Sequence, residues 1–220
     1  MNQQHLWIKI CGIRDVPTAL AVAECGADAI GLNFYDQSPR CVDTTSARGI
    51  VESLPSHVSP VGLFVNHSID EIRRIATTCG ITTVQLHGDE PASMIGELSD
   101  YRVIRALRTD GDFASLASQQ MNESQQVGAM PWAWLVDSRS PHAYGGTGET
   151  VDWEPLAHEQ RSPEWPPLVL AGGLTPENVA DAVRTVQPWG IDVASGVESS
   201  PGVKDLEMVK VFISRARAAS

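Results

Sequence analysis

Short runs of apolar and β-branched residues recur along the chain at Leu6–Ile10, Asp28–Phe34, Pro60–Val65, Thr82–Leu86, Arg102–Leu107, Trp132–Asp137, Leu168–Ala171 and Gly190–Val193. They have strand length, and several are apolar at consecutive positions, the pattern of a parallel strand buried on both faces. Between them the apolar residues change to a helical spacing over Val16–Glu24, Thr45–Leu54, Ile69–Thr78, Ala92–Leu98 and Glu177–Val186. Local signals agree. Ser68-Ile69-Asp70-Glu71 fits a capping box, Thr175-Pro176 places a cap before a first-turn proline, and Gly26 and Gly80 stand where helices would end.

Eight successive βα units predict an α/β fold, a closed (β/α)8 barrel of the TIM type. The pattern alone leaves an open doubly wound sheet as an alternative. A barrel of this kind commonly takes about 200 to 250 residues, so residues 1–220 are expected to form one domain. Ser118–Met130, rich in Gln and Ser, and His158–Pro167, polar with three prolines, break the rhythm. Both are expected to be surface excursions on the face away from the chemistry.

Composition narrows the function classes. The chain is 42% hydrophobic and 20% charged, and no apolar run approaches the roughly 18 to 20 residues of a membrane span. The first residues lack a basic-then-apolar leader, so a cytoplasmic location is expected. A formal charge of −11 offers no footprint for a nucleic-acid backbone and makes any phosphate site a local construction. Cys11, Cys25, Cys41 and Cys79 show no metal-ligand spacing and are expected to be free thiols. Cys25 and Cys79 are assigned to the core and Cys41 to no role.

Functional groups of such barrels gather past the C-terminal ends of the strands. That position holds Lys9-Ile10-Cys11-Gly12, Asn33 with Ser38-Pro39-Arg40, Asn66, Gln85-Leu86-His87-Gly88, Arg105 and Arg108. It continues with Asp137, Gly145-Gly146-Thr147-Gly148, Gly172-Gly173, and Asp192 with Ala194-Ser195-Gly196. Glycines after strands 7 and 8 let backbone N–H groups point at an anion, which predicts a phosphate monoester site. Cys11 and Asp137, at the ends of strands 1 and 6, face one another across the mouth and suit a base and an acid. By itself Cys11 would be a small buried hydrophobe, and Asp137 a turn cap. A thiol near pKa 8.5 needs a positive neighbour to serve as a base. Lys9 is a candidate, although strand alternation does not say which way it points. Arg40 suits bidentate pairing with a carboxylate, and His87 suits either a ligand or the anchoring of a loop.

Lys9-Ile10-Cys11-Gly12, Val61-Gly62-Leu63-Phe64-Val65-Asn66, Val84-Gln85-Leu86-His87-Gly88, Gly145-Gly146-Thr147-Gly148, Leu170-Ala171-Gly172-Gly173-Leu174 and Gly196-Val197-Glu198 occur in this order. Together they resemble the phosphoribosylanthranilate isomerase family over essentially the whole chain. The resemblance implies a (β/α)8 barrel that rearranges N-(5′-phosphoribosyl)anthranilate to 1-(2-carboxyphenylamino)-1-deoxyribulose 5-phosphate in tryptophan biosynthesis, with no metal or organic cofactor. It implies Asp137 as general acid, Cys11 as general base and Arg40 as partner of the anthranilate carboxylate. It implies phosphate binding around Gly172, Gly173, Ser195 and Gly196, with His87 and Asp192 lining the site. The expected partner is a small phosphosugar, with no nucleic acid or membrane, and the chain is expected to be a monomer or homodimer.

Two other readings stay open. Another phosphate-sugar barrel isomerase would use different base residues, or metal ligands in the case of an epimerase. A non-catalytic phospho-ligand barrel would keep the phosphate cup and tolerate loss of the acid and base.

Overall fold

A computed structural model describes residues 5–109, 112–138, 153, 156 and 162–220. Eight parallel strands close into a barrel in sequence order: β1 (Trp7–Cys11), β2 (Ala29–Asn33), β3 (Ser59–Phe64), β4 (Thr83–Leu86), β5 (Arg102–Thr109), β6 (Ala133–Ser138), β7 (Leu168–Leu170) and β8 (Gly190–Val193). Closure comes from β8 pairing with β1, Trp7 opposite Gly190 and Lys9 opposite Asp192. The closed ring decides against the open-sheet alternative.

Helices α1 (Val16–Glu24), α2 (Thr44–Ser53), α3 (Ile69–Cys79), α4 (Ser93–Glu97) and α5 (Phe113–Val127) follow the first five strands; α6 (Val179–Val186) follows β7 and α7 (Leu206–Ala219) ends the chain. The Ser68–Glu71 capping box is present on α3, and Gly80 closes that helix in the left-handed conformation at φ 73°. No helix among the described residues is long and apolar enough to cross a membrane.

Strand alternation sorts the side chains into two cores. Ile8, Ile10, Ile30, Leu32, Val84, Leu86, Trp134, Val136, Ile191 and Val193 point outward and pack with the helices in one continuous cluster. Ala29, Val61, Ile104, Ala106, Ala133, Leu135 and Val169 form a separate cluster that fills the lower barrel. Trp7, Trp132 and Trp189 close its base: Trp7 stacks on Trp189 at 5.3 Å between centroids, and Trp132 meets both edge-on at 6.0 and 5.2 Å. The three indoles occupy the N-terminal end of the barrel, and the polar interior side chains lie toward the opposite end.

Three expectations are corrected. Ser118–Met130 is not a surface excursion, because its first ten residues belong to α5, which Gly128 caps at φ 68°. Phe113, Ala117 and Ser124 are buried at helical spacing, with Leu116 and Met121 packed beside them; a Gln- and Ser-rich outer face hid that stripe. The Thr175-Pro176 cap is displaced, since α6 begins after Asn178, which makes no side-chain cap bond. Its amide is committed to the preceding loop. The segment 158–167 lies partly outside the described residues, but Trp165 within it packs on Trp134 and Phe113 at 5.6 and 5.9 Å.

Candidate active site

Above the lower core the barrel interior turns polar. Lys9 and Gln85 are fully buried, and Asn33, His87, Asp137 and Asp192 nearly so. The inward register of β1 carries Trp7, Lys9 and Cys11 up one face, so Lys9 points into the barrel below Cys11. Lys9 Nζ donates to Asp192 Oδ1 at 2.9 Å. Cys11 is 5% exposed, packed with Leu63 and Val65 just inside the mouth. Burial pushes its thiol above the ordinary range; the Lys9 ammonium opposes this and Asp192 adds to it. Burial also disfavours the Lys9 charge, yet Asp192 and then Cys11 more than offset it and hold the amine above its ordinary value.

Across the mouth, β4 and β6 bring His87 to Asp137, with Nε2 to Oδ2 at 3.3 Å. Gln85, two residues below His87 on the same face, places its Nε2 2.8 Å from His87 Nδ1. An amide donating to Nδ1 leaves the ring proton on Nε2, aimed at the carboxylate. Nε2 is buried with no hydrogen-bond partner among the described residues, so its contact with Asp137 is one of proximity.

The third component is a cup of backbone. Gly172 and Gly173 have φ of 78° and 64°, a left-handed pair that only glycine adopts without strain. Among the described residues neither N–H meets an acceptor. Asn178 fixes the loop, accepting from Thr175 N at 2.8 Å and donating to Gly173 O at 2.9 Å. Ser195–Val197 form a 3-10 turn after β8, and Gly196 lies so close to the Leu174 carbonyl that a Cβ there would collide with it. The two glycine loops are therefore one surface.

Arg40 arches over Gly12, where an added Cβ would lie 2.7 Å from its Cδ. Its Nε and Nη2 donate to the two oxygens of Glu198, both at 2.8 Å. Glu198 opens a small hairpin, β9 (Glu198–Ser200) with β10 (Val203–Lys204), and also accepts from Lys204 Nζ at 2.8 Å. Burial acts against the Glu198 charge, but Arg40 and Lys204 hold its carboxyl below the usual range. Lys204 also donates to Ala194 O at 2.8 Å, tying the hairpin to the end of β8 just before the Ser195–Val197 turn.

The family model for N-(5′-phosphoribosyl)anthranilate isomerase matches residues 8–215. The chain belongs to the phosphoribosylanthranilate isomerase family. It is accordingly an enzyme, an isomerase of the intramolecular oxidoreductase class. The N-(5′-phosphoribosyl)anthranilate isomerase of Geotalea daltonii is 45% identical over 210 residues, 96% of both chains, and that of Chlorobaculum parvum is 43% identical over 214 residues, 96% of this chain and 94% of that one. The crystal structure of phosphoribosylanthranilate isomerase from Thermotoga maritima superposes with a TM-score of 0.86 at 35% identity, covering 97% of this chain and all of that one. A further phosphoribosylanthranilate isomerase structure, in complex with reduced 1-(o-carboxyphenylamino)-1-deoxyribulose 5-phosphate, gives 0.81 at 33% identity over 97% of this chain and all of that one.

In this member of the phosphoribosylanthranilate isomerase family the mouth holds two carboxylates to which sequence reasoning gave no role, Glu198 and Glu90. Glu90 is 4% exposed and accepts from Asn66 N at 2.8 Å, Gly88 N at 2.9 Å and Arg105 Nη1 at 3.1 Å. It clamps the loops after β3 and β4 to β5. The available signal was the polar set Asn66, Gly88 and Arg105, which needs one buried anion in common. Gly145-Gly146-Thr147-Gly148 lies outside the described residues. Cys79 is core, whereas Cys25 is only half-buried at the end of α1, and all four thiols are free.

Proposed function

We propose that this chain acts as one catalytic barrel that converts N-(5′-phosphoribosyl)anthranilate to 1-(2-carboxyphenylamino)-1-deoxyribulose 5-phosphate, with Asp137 as general acid and Cys11 as general base. The observation that carries the reading is the meeting, at the C-terminal end of the barrel, of a buried thiol beside an ammonium, a carboxyl beside a histidine, and a glycine cup.

The phosphate anchors on the backbone of Gly172, Gly173, Ser195 and Gly196, where N–H donors suit a dianion in a chain of net negative charge. Asp137 gives a proton to the ribose ring oxygen, the ring opens, and a Schiff base forms at C1′. Cys11 then removes the C2′ proton, and the enolamine that results tautomerises to the ketone. Every atom of the substrate is retained. Arg40 takes the anthranilate carboxylate on the edge of its guanidinium that Glu198 leaves open, while His87 and Asp192 line the cavity. The chemistry asks only for proton movement, and a location in the cytoplasm suits a phosphorylated small-molecule substrate.

Loss of the fluorescent anthranilate adduct, followed with purified protein beside its Cys11→Ala and Asp137→Asn variants, tests the assignment. Turnover retained in either variant sinks the role of that residue; binding of adduct without turnover by the wild type would favour a non-catalytic barrel.

A further inference from the structure

An amine with no exposed surface, halfway up a barrel, is costly unless its charge is met. Lys9 is such a group, and Asp192 meets it at 2.9 Å. That pairing does not explain why an ion pair is there at all, since apolar residues of similar volume commonly serve stability as well.

Gly31 supplies the missing observation. The β1–β2 register sets Cys11 opposite Gly31 and Lys9 opposite Ala29. A Cβ added at Gly31 would lie 2.6 Å from Cys11 Sγ and 3.0 Å from Lys9 Nζ. The thiol and the ammonium therefore share one small space, and glycine at position 31 keeps it empty. An ammonium has three N–H donors; Asp192 takes one, and the amine adjoins the same small space as the sulfur.

We infer that Lys9, held in direction by Asp192, is a positioning residue that supplies Cys11 with its thiolate. The inference rests on the reading of Cys11 as the base. When the C2′ proton passes to sulfur the thiolate becomes a thiol, and Lys9 keeps its own proton because Asp192 remains its partner. The other charges bearing on the thiol are Asp192, which opposes its ionisation, and Lys204, which favours it from the hairpin side.

The ultraviolet absorbance of the thiolate, followed against pH as the difference between each protein and its Cys11→Ala counterpart, isolates Cys11 from the three other free cysteines. Lys9→Met should move the midpoint upward by about one to three pH units, the usual effect of removing an adjacent opposite charge. The acidic limb of kcat/KM should move with it. Should Lys9→Met fail to fold, the double variant Lys9→Met with Asp192→Asn leaves no lone buried carboxylate, and its midpoint should rise by a smaller amount. An unmoved midpoint in the folded single or double variant overturns the inference. Failure of the base reading looks different: Cys11→Ala would then keep its turnover while the Lys9→Met titration still moved.

Discussion

Nε and Nη2 of Arg40 both face the carboxylate of Glu198, each at 2.8 Å. One edge of the guanidinium is used to hold its direction. The opposite edge, carrying both Nη1 hydrogens and the second Nη2 hydrogen, is left for another planar anion.

For Arg40→Ala, KM for the anthranilate adduct should rise about 10- to 100-fold, the range of a charged hydrogen bond, with a smaller effect on kcat. Arg40→Lys should lose most of the same affinity, because an ammonium cannot face Glu198 and a substrate carboxylate with paired bonds. Initial rates over a substrate range decide; an unchanged KM in both variants would remove the carboxylate role.

Turnover should fall at least ~100-fold in both Cys11→Ala and Asp137→Asn, the usual scale for a general base or acid. Circular dichroism should stay that of the wild type. The double variant should be little worse than the poorer single one if the two act on consecutive steps of one path.

The pH dependence of stability should carry a contribution from Glu198. Arg40 and Lys204 hold its folded-state carboxyl below the unfolded value. Its contribution is therefore complete above the ordinary glutamate value of about 4.3 and is lost as pH falls through the lower folded value. Urea midpoints measured from neutral to acid pH should drop more steeply for wild type than for Glu198→Gln. Parallel curves would contradict the linkage.

Glu90→Ala should destabilise the barrel by about 3 to 5 kcal/mol, because it strands the Arg105 charge and frees the N–H groups of Gly88, which is buried, and Asn66. Chemical denaturation reads this directly. A loss below about 1 kcal/mol, the level of a surface pair, would show that water replaces the clamp.

Gly196→Ala should weaken competitive inhibition by inorganic phosphate, since a methyl group at that position drives the two glycine loops apart. Equal inhibition of variant and wild type would separate the phosphate from the cup.

The barrel was legible because β strands buried on both faces leave continuous apolar runs, and β8 matches its expected bounds at Gly190–Val193. Alternation gave Lys9 and Cys11 a common face without saying which face. That choice depends on closure between β1 and β8, a contact across nearly the whole chain. Helix α5 escaped notice because three buried positions are a thin signal among glutamines. Glu198 and Glu90 escaped for another reason: an acidic residue in a loop reads as solvated until its basic partners arrive from distant strands. Cys11, Asp137 and the glycines were named by their place after strands, whereas the partners of Lys9, Arg40 and Arg105 emerged only in three dimensions.

The indole stack at the base has an optical consequence. Trp7 belongs to the first strand and Trp189 immediately precedes the last, so the stacked pair at 5.3 Å straddles the seam where the two ends of the chain meet. Coupled transitions between these rings add to the near-ultraviolet dichroism beside the Trp134–Trp165 pair, and their share should fade when the first and last strands part even if every helix remains intact.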